Sequence, residues 1–124
     1  MIRYELHPES GLLILMPEGR LAAEDFTKIA AVVDPYIAEK GRLNALMIHA
    51  ESFPGWQDFA ALIAHLKFVK DHHRRIARIA AVSDSGFLAV MPRIAQHFLT
   101  ADVRYFRCEE HDKALEWLGD ITLV

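Results

Sequence analysis

Hydrophobic and polar residues at the start of the chain follow a period of two. Residues Met1–His7 alternate, which predicts a strand with one wet face at the edge of a sheet. Leu12–Met16 is a continuous apolar run, which predicts a strand covered on both faces. Pro8, Ser10 and Gly11 lie between the two runs and favour a turn. The first two strands should therefore pair as a hairpin.

Beyond the hairpin, segments of helical period alternate with apolar runs. A helix is predicted from about Ala22 to Glu39, because one apolar stripe recurs there at helical spacing. Pro35 lies inside this helix and predicts a kink or a late break. The alternation predicts an α/β fold: one domain over residues 1–124, with a mainly parallel five-stranded sheet, an antiparallel N-terminal edge strand and about four helices. The remaining elements are strands at Leu43–Ala50, Ile76–Val82 and Val103–Arg107, and helices at Gln57–His72, Phe87–Leu99 and Glu110–Leu118.

The predicted helix over Gln57–His72 has apolar residues on more than one side. At about 100° per residue, the stripe expected to face the core consists of Phe59, Leu62, Ile63, Leu66 and Val69. Phe68 is then expected on the opposite side, beside Ala61 and Ala64. It is either an isolated exposed aromatic residue or part of a strip that faces a partner or a membrane.

The predicted helix over Phe87–Leu99 is apolar over a wider arc than a surface helix needs. It is either deeply buried or a cover over an apolar cavity. Phe53 and Trp56 lie on the loop between the predicted strand at Leu43–Ala50 and the predicted helix at Gln57–His72, and they either close the core or line a pocket. For a cavity, the predicted ligand-binding residues are Phe53, Trp56, Phe87, Val90, Met91, Ile94 and Phe98.

Basic residues cluster around the end of the helix at Gln57–His72. They are either a solvated helix end, where cations are favourable, or a contact for anionic lipid head groups. Adjacent His72 and His73 diverge on a helix and have no cysteine or carboxylate at ligand spacing, so no metal site is predicted. The predicted membrane or anion contacts are Lys67, Phe68, Lys70, Arg74 and Arg75.

Composition and charge narrow the classes of function. The formal net charge is −3, which argues against non-specific nucleic-acid binding. Cys108 is the single cysteine, so no disulfide forms within the chain. No secretory signal and no apolar run of membrane-spanning length is evident, so we expect a cytoplasmic protein, peripheral at the inner membrane face if it contacts lipid. No catalytic motif and no cofactor motif is present.

Several segments, in order, resemble the SpoIIAA-like group of STAS-domain proteins. They are GRLAAEDF, ALMIHAESFPGW, LKFVKDHHRRIARIAAVSD and VRYF with ALEWL. The resemblance implies the STAS-type fold and a likeness to lipid-carrying CRAL-TRIO folds, with a mobile helix over an apolar pocket. STAS anti-sigma antagonists carry a phosphorylated serine near the position of Gly55, Trp56 and Gln57, and this chain has none there.

These observations lead to three hypotheses about function. The leading one is a non-enzymatic binding domain for a small apolar or amphipathic, lipid-like ligand, with peripheral contact to an anionic membrane surface. The second is a STAS-like regulatory module that binds a protein partner without the phosphoacceptor serine. The third is a small enzyme that uses Glu51, Asp84 or His49 at the strand ends. Homo-oligomerisation is compatible with all three.

Overall fold

One mixed sheet of five strands forms the centre of the protein. A computed structural model describes residues 1–52, 55–84, 86 and 99–119. The predicted helix over Phe87–Leu99 lies outside these residues except for its last position. Single 3₁₀ turns occupy His73–Arg75 and Cys108–Glu110. The elements are β1 (Ile2–His7), β2 (Leu12–Pro17), α1 (Ala23–Lys40), β3 (Leu43–His49), α2 (Phe59–His72), β4 (Ile76–Val82), β5 (Asp102–Phe106) and α3 (His111–Trp117).

The order of the strands in the sheet is their order in the chain. β1 pairs with β2 in antiparallel fashion, and β2, β3, β4 and β5 pair in parallel. The predicted mixed sheet with an antiparallel edge strand is therefore confirmed. Each successive parallel strand is added on the same side of the strand before it. Since the connections between parallel strands are right-handed, α1 and α2 lie on the same face of the sheet. The order of the five described strands does not reverse, so they do not form a switch point of the kind at which diverging loops open a crevice.

Alternate residues of each buried strand face two separate cores. On one face, Leu13 and Leu46 pack with Ile29 and Val33 of α1. On the other face, Met47 belongs to a cluster that α3 covers. This is what continuous apolar strands require, since both of their faces must leave water. The second core contains Leu12, Ala45, Met47, Ala80, Val82, Phe106, Ala114 and Leu118.

Local signals fix the ends of α1. The buried carboxylate of Asp25 accepts a hydrogen bond from the backbone N–H of Ala22 at 2.8 Å. At the other end, Gly41 has a φ of 92°, and its N–H donates to the Ile37 carbonyl at 2.7 Å. The helix continues through Pro35 to Lys40, so the predicted late break does not occur.

The rotation of α2 about its axis differs from the prediction. Phe59, Ile63 and Leu66, which the periodicity placed in the core, are 73%, 48% and 57% exposed. Ala61 is fully buried, and Phe68 packs against the core cluster that α1 covers. The predicted core stripe was therefore wrong. The cause is a set of polar contacts that hold the other side of α2 inward.

Candidate functional site

The start of α2 is held by the loop before it. Asp58 is the N-cap, and its Oδ1 accepts a hydrogen bond from the Ala61 N–H at 2.9 Å. Just upstream, Leu21 donates its N–H to the Gly55 carbonyl at 2.8 Å and accepts from the Gln57 N–H at 2.7 Å. These bonds form an isolated parallel bridge between Leu21 and Trp56. The loop therefore enters α2 from a fixed position beside α1.

Trp56 and His65 join that loop to both helices. The indole N–H of Trp56 donates to Nδ1 of His65 at 3.1 Å. The His65 ring stacks on Phe26 of α1, with 4.7 Å between ring centroids. Trp56 is half-buried in this arrangement. Trp56 is one of the predicted ligand-binding residues, and its hydrogen bond to His65 connects the loop to α2.

The other end of α2 is anchored by the buried His72. Its Nε2 lies 2.7 Å from Oδ1 of Asp34 on α1, and its Nδ1 lies 2.7 Å from the carbonyl oxygen of Phe68. His72 thus bridges α1 and the last turn of α2 through both of its ring nitrogens. The Phe68 ring also stacks on His72, with 4.1 Å between centroids. Phe68 therefore lies on the inner side of α2, away from the membrane-facing position expected for it.

These anchors turn an apolar strip outward. We call Phe59, Ile63, Leu66, Lys67 and Lys70 the outer strip. All five side chains are exposed. At about 100° per residue, Lys70 falls within roughly 20° of Phe59, so its charge lies in line with the apolar residues. The solvent side of α2 therefore combines three large apolar side chains with two lysines.

The basic residues after α2 lie in the 3₁₀ turn His73–Arg75. Arg74 and Arg75 are both exposed, as expected for contacts with an anionic surface. Arg75 also donates a hydrogen bond from Nη1 to the Gly41 carbonyl at 3.3 Å, which ties this turn to the end of α1. The structure thus brings the basic turn close to the C-terminal end of the outer strip.

The remaining predicted ligand-binding residues are not described by the structure. Phe53 falls in the gap at 53–54, so the prediction about its role stays a prediction. The same holds for a pocket beneath the predicted helix over 87–99. The residues concerned are Phe87, Val90, Met91, Ile94 and Phe98.

A cavity of about 870 Å³ lies elsewhere, at the amino ends of the parallel strands. Leu12 and Ile14 of β2 and Leu115 of α3 form its apolar lining, and Ser10 and Asn44 add polar groups. Asn44 donates to the Ser10 carbonyl at 3.0 Å, so its amide is already engaged. Sequence patterns missed this cavity because its lining comes from elements distant in the chain.

The carboxyl ends of β3, β4 and β5 form a second cluster of polar side chains. The backbone N–H of Asp84 donates to the Glu51 carbonyl at 3.0 Å. The Asp84 carboxylate accepts the Cys108 N–H at 3.1 Å. Nδ1 of His49 lies 3.0 Å from Nδ1 of His111. The structure thus brings together the three residues of the enzyme hypothesis and adds two that the sequence analysis did not select.

The electrostatics of this edge disfavour the thiolate form of its cysteine. Partial burial and the neighbouring Asp84 carboxylate raise the pKa of the Cys108 thiol, so it stays protonated near neutral pH. Burial, followed by repulsion from His111, lowers the pKa of His49. The edge therefore combines two histidines with two carboxylates and a cysteine whose thiolate form is disfavoured.

The burial of His65 makes stability depend on pH. Burial lowers the pKa of His65 below 6.5, because the charged ring would lose water. The unfolded chain then binds a proton at this histidine more readily than the folded chain does. The contribution of neutral His65 to the free energy of unfolding is therefore complete above about pH 6.5 and is lost as the pH falls through the lowered pKa. We expect the free energy of unfolding to fall on acidification, by at most about 1.4 kcal/mol per pH unit for this one group.

Urea unfolding at neutral and mildly acidic pH checks this expectation. His65→Gln retains an acceptor for Trp56 but does not titrate, so its stability should depend less on pH than that of the wild type. His7→Gln, at an exposed position on β1, is the matched control and should keep the wild-type pH dependence. Identical slopes for His65→Gln and the wild type would contradict this role of His65.

In the described part of the chain, the five-stranded mixed sheet has two helices on one face and one on the other, which defines a small α/β domain. Its fold is shared by the crystal structure, at 2.25 Å resolution, of an uncharacterized DUF3478 protein with a SpoIIAA-like fold from Shewanella loihica PV-4. The two structures have a TM-score of 0.77 and 22% sequence identity, over 95% of this chain and 92% of the other. At that identity the likeness shows the fold alone.

The family follows from the sequence match. The model of the SpoIIAA-like family matches residues 12–119, and the chain belongs to this family. The resemblance noted in the sequence is therefore confirmed. Comparison with curated proteins gave no match. Within the described part of the chain, no helix is both long and apolar enough to cross a membrane.

Proposed function

We propose that this domain is a non-enzymatic, peripheral membrane-binding protein that places the outer strip of α2 on an anionic bilayer. The observation that carries the proposal is the exposure of Phe59, Ile63 and Leu66 on a helix whose opposite side is anchored to α1. The transfer of water-exposed apolar side chains of this size into the acyl boundary of a bilayer is favourable. Exposure of three along one face is therefore unfavourable unless that face has an apolar partner.

The charges near the strip favour lipid as that partner. Lys67 and Lys70 lie on the outer strip, and Arg74 and Arg75 follow in the next turn. Each basic residue near an anionic bilayer contributes about 1 kcal/mol of attraction. The net charge of the chain is −3, but charges more than about 10 Å from the surface are screened at ordinary ionic strength. The local positive charge therefore decides the orientation of binding.

The expected binding is reversible. Full burial of one large apolar side chain contributes roughly 1.5–3 kcal/mol, and only the outer half of α2 enters the interface. This contribution, added to that of the basic residues, gives an affinity that depends on the content of anionic lipid and on salt. The protein would thus associate with the surface according to lipid composition and would not insert permanently.

A more specific version of this proposal adds a bound lipid-like ligand beneath the predicted helix over 87–99. It is supported by the wide apolar arc of that segment in the sequence. Native mass spectrometry after gentle purification tests it: copurified lipid, or uptake of added fatty acid, supports a carrier role. A protein that remains empty in both conditions contradicts that role and leaves surface binding to be judged by vesicle experiments.

Co-sedimentation with vesicles tests the proposal directly. We expect binding to phosphatidylcholine vesicles that contain phosphatidylglycerol, weaker binding to phosphatidylcholine alone, and weakening at high salt. Lys67→Glu with Lys70→Glu should reduce binding to the anionic vesicles at least about tenfold, since each reversal replaces attraction by repulsion.

The matched control changes the net charge equally but elsewhere. Lys28→Glu with Lys113→Glu replaces exposed lysines on α1 and α3 and should retain most of the binding. Equal loss in both double variants would show that only net charge matters. An absence of vesicle binding, with a protein partner captured by the same strip, would instead favour the regulatory-module hypothesis.

A further inference from the structure

Two histidines distant in sequence point the same ring atom at each other. His49 ends β3 and His111 begins α3, and their Nδ1 atoms lie 3.0 Å apart. The ring centroids are 4.9 Å apart, and the rings are tilted by 41°. Two facing nitrogens share at most one hydrogen between them, so one of them acts as an acceptor. This arrangement also presents two nitrogen lone pairs to a common point once that hydrogen leaves.

The separation fits two ligands of one metal ion. Imidazole nitrogens bind Zn²⁺ at about 2.0–2.1 Å, which places two nitrogens of a tetrahedral site about 3.3 Å apart. The observed Nδ1–Nδ1 distance of 3.0 Å reaches that value with a small rotation of either ring. Both side chains are half-buried, so a bound ion would keep access to water.

The surroundings favour a cation at this point. The carboxylates of Glu51 and Asp84 both act electrostatically on His49. The Cys108 N–H donates to the Asp84 carboxylate, and the Asp84 N–H donates to the Glu51 carbonyl, which holds the two residues side by side. Their negative charge acts on His49, and neither carboxylate forms an ion pair with an arginine or lysine within the described residues.

We propose that His49 and His111 bind one divalent transition-metal ion of the Zn²⁺ class through their Nδ1 atoms. Among the residues that the structure describes, no three potential ligands converge, so water fills the other positions. Cys108 is not assigned as a ligand, because it does not converge with the two histidines. Such a two-histidine site binds more weakly than a closed structural zinc site and leaves positions open to a further ligand.

Isothermal titration of the metal-free full chain with ZnCl₂ tests the site. We expect one ion per chain, and at least about tenfold weaker binding in His49→Gln and in His111→Gln. Cys108→Ser and His7→Gln are controls that should bind as the wild type does. Zn²⁺ should also raise the melting temperature of the wild type but not that of His111→Gln, since only a site in the folded state stabilises it.

Three results would overturn the assignment. The first is no binding by the wild type, in which case the pair is a histidine–histidine hydrogen bond alone. The second is unchanged binding in both histidine variants. The third is loss in Cys108→Ser with retention in His111→Gln. Vesicle binding by His111→Gln is measured in parallel and should equal that of the wild type, so this site and the outer strip are judged separately.

Discussion

Phe59→Ser combined with Leu66→Ser should lower partitioning onto anionic vesicles at least about 30-fold, since each replacement removes up to roughly 1.5–3 kcal/mol of apolar transfer. The same double variant should unfold with a free energy within about 0.5 kcal/mol of the wild type per site, because both side chains already lie in water. Co-sedimentation and urea unfolding measure the two quantities. Loss of binding without loss of stability separates a contact surface from a core.

Tyr4→Ser is the matched control for that result. Tyr4 is another large exposed side chain, but it lies on β1 at the far edge of the sheet from α2. Its replacement should leave vesicle binding unchanged. If Tyr4→Ser weakens binding as much as the double variant does, general surface hydrophobicity would explain the binding, and the outer strip would have no special role.

Phe26→Ala should lower the free energy of unfolding by about 3–5 kcal/mol, the cost of a cavity left by a buried aromatic ring. Phe26 is 8% exposed. It stacks on His65 with 4.7 Å between centroids, and its centroid lies 6.1 Å from that of Phe68. Removal of this ring takes away the surface on which α2 rests. Denaturant unfolding of the purified variant measures the loss.

Phe59→Ala provides the comparison with Phe26→Ala, because it removes the same type of side chain from the other helix of the pair. We expect it to cost less than about 0.5 kcal/mol, because the ring is 73% exposed. The two phenylalanines therefore report the rotation of α2. If Phe59→Ala proves the costlier change, α2 faces the core as its periodicity predicted, and the outer strip does not exist.

The fold was predictable because its signals are local and agree with each other. A continuous apolar run marked the strand from Leu12, and mostly apolar segments marked the strands from Leu43 and Ile76. The STAS-like resemblance pointed to the same architecture. Such agreement between local pattern and global fold is what allows a chain to specify one topology.

The rotation of α2 was not predictable from hydrophobic periodicity. A count of apolar residues favours turning Phe59, Ile63 and Leu66 inward. The structure instead buries His72, whose partner Asp34 is 38 residues away, and it turns His65 toward Trp56 and Phe26. A buried polar side chain is tolerated when it is hydrogen-bonded, and a single-sequence pattern does not reveal such distant partners.

The carboxyl edge of the sheet was predictable only in part. Parallel strands end on the same side, which placed His49, Glu51 and Asp84 near each other in advance. His111 lies 62 residues beyond His49, and its position depends on how α3 leaves β5 across the edge. One feature of the sequence could have marked His111 as a candidate: it lies directly after the turn that follows β5.

A fluorescent label on the outer face of α2 shows directly whether that face enters lipid. In a Cys108→Ser background, Ile63→Cys carries a polarity-sensitive nitrobenzoxadiazole dye, and Glu116→Cys on α3 carries the same dye as the control. Both positions are exposed, on helices that cover opposite faces of the sheet. Anionic vesicles should shift the emission of the Ile63 label to the blue and increase it, and should leave the Glu116 label unchanged. An unchanged Ile63 spectrum under conditions where the protein sediments with the vesicles, or equal shifts at both positions, would contradict the account.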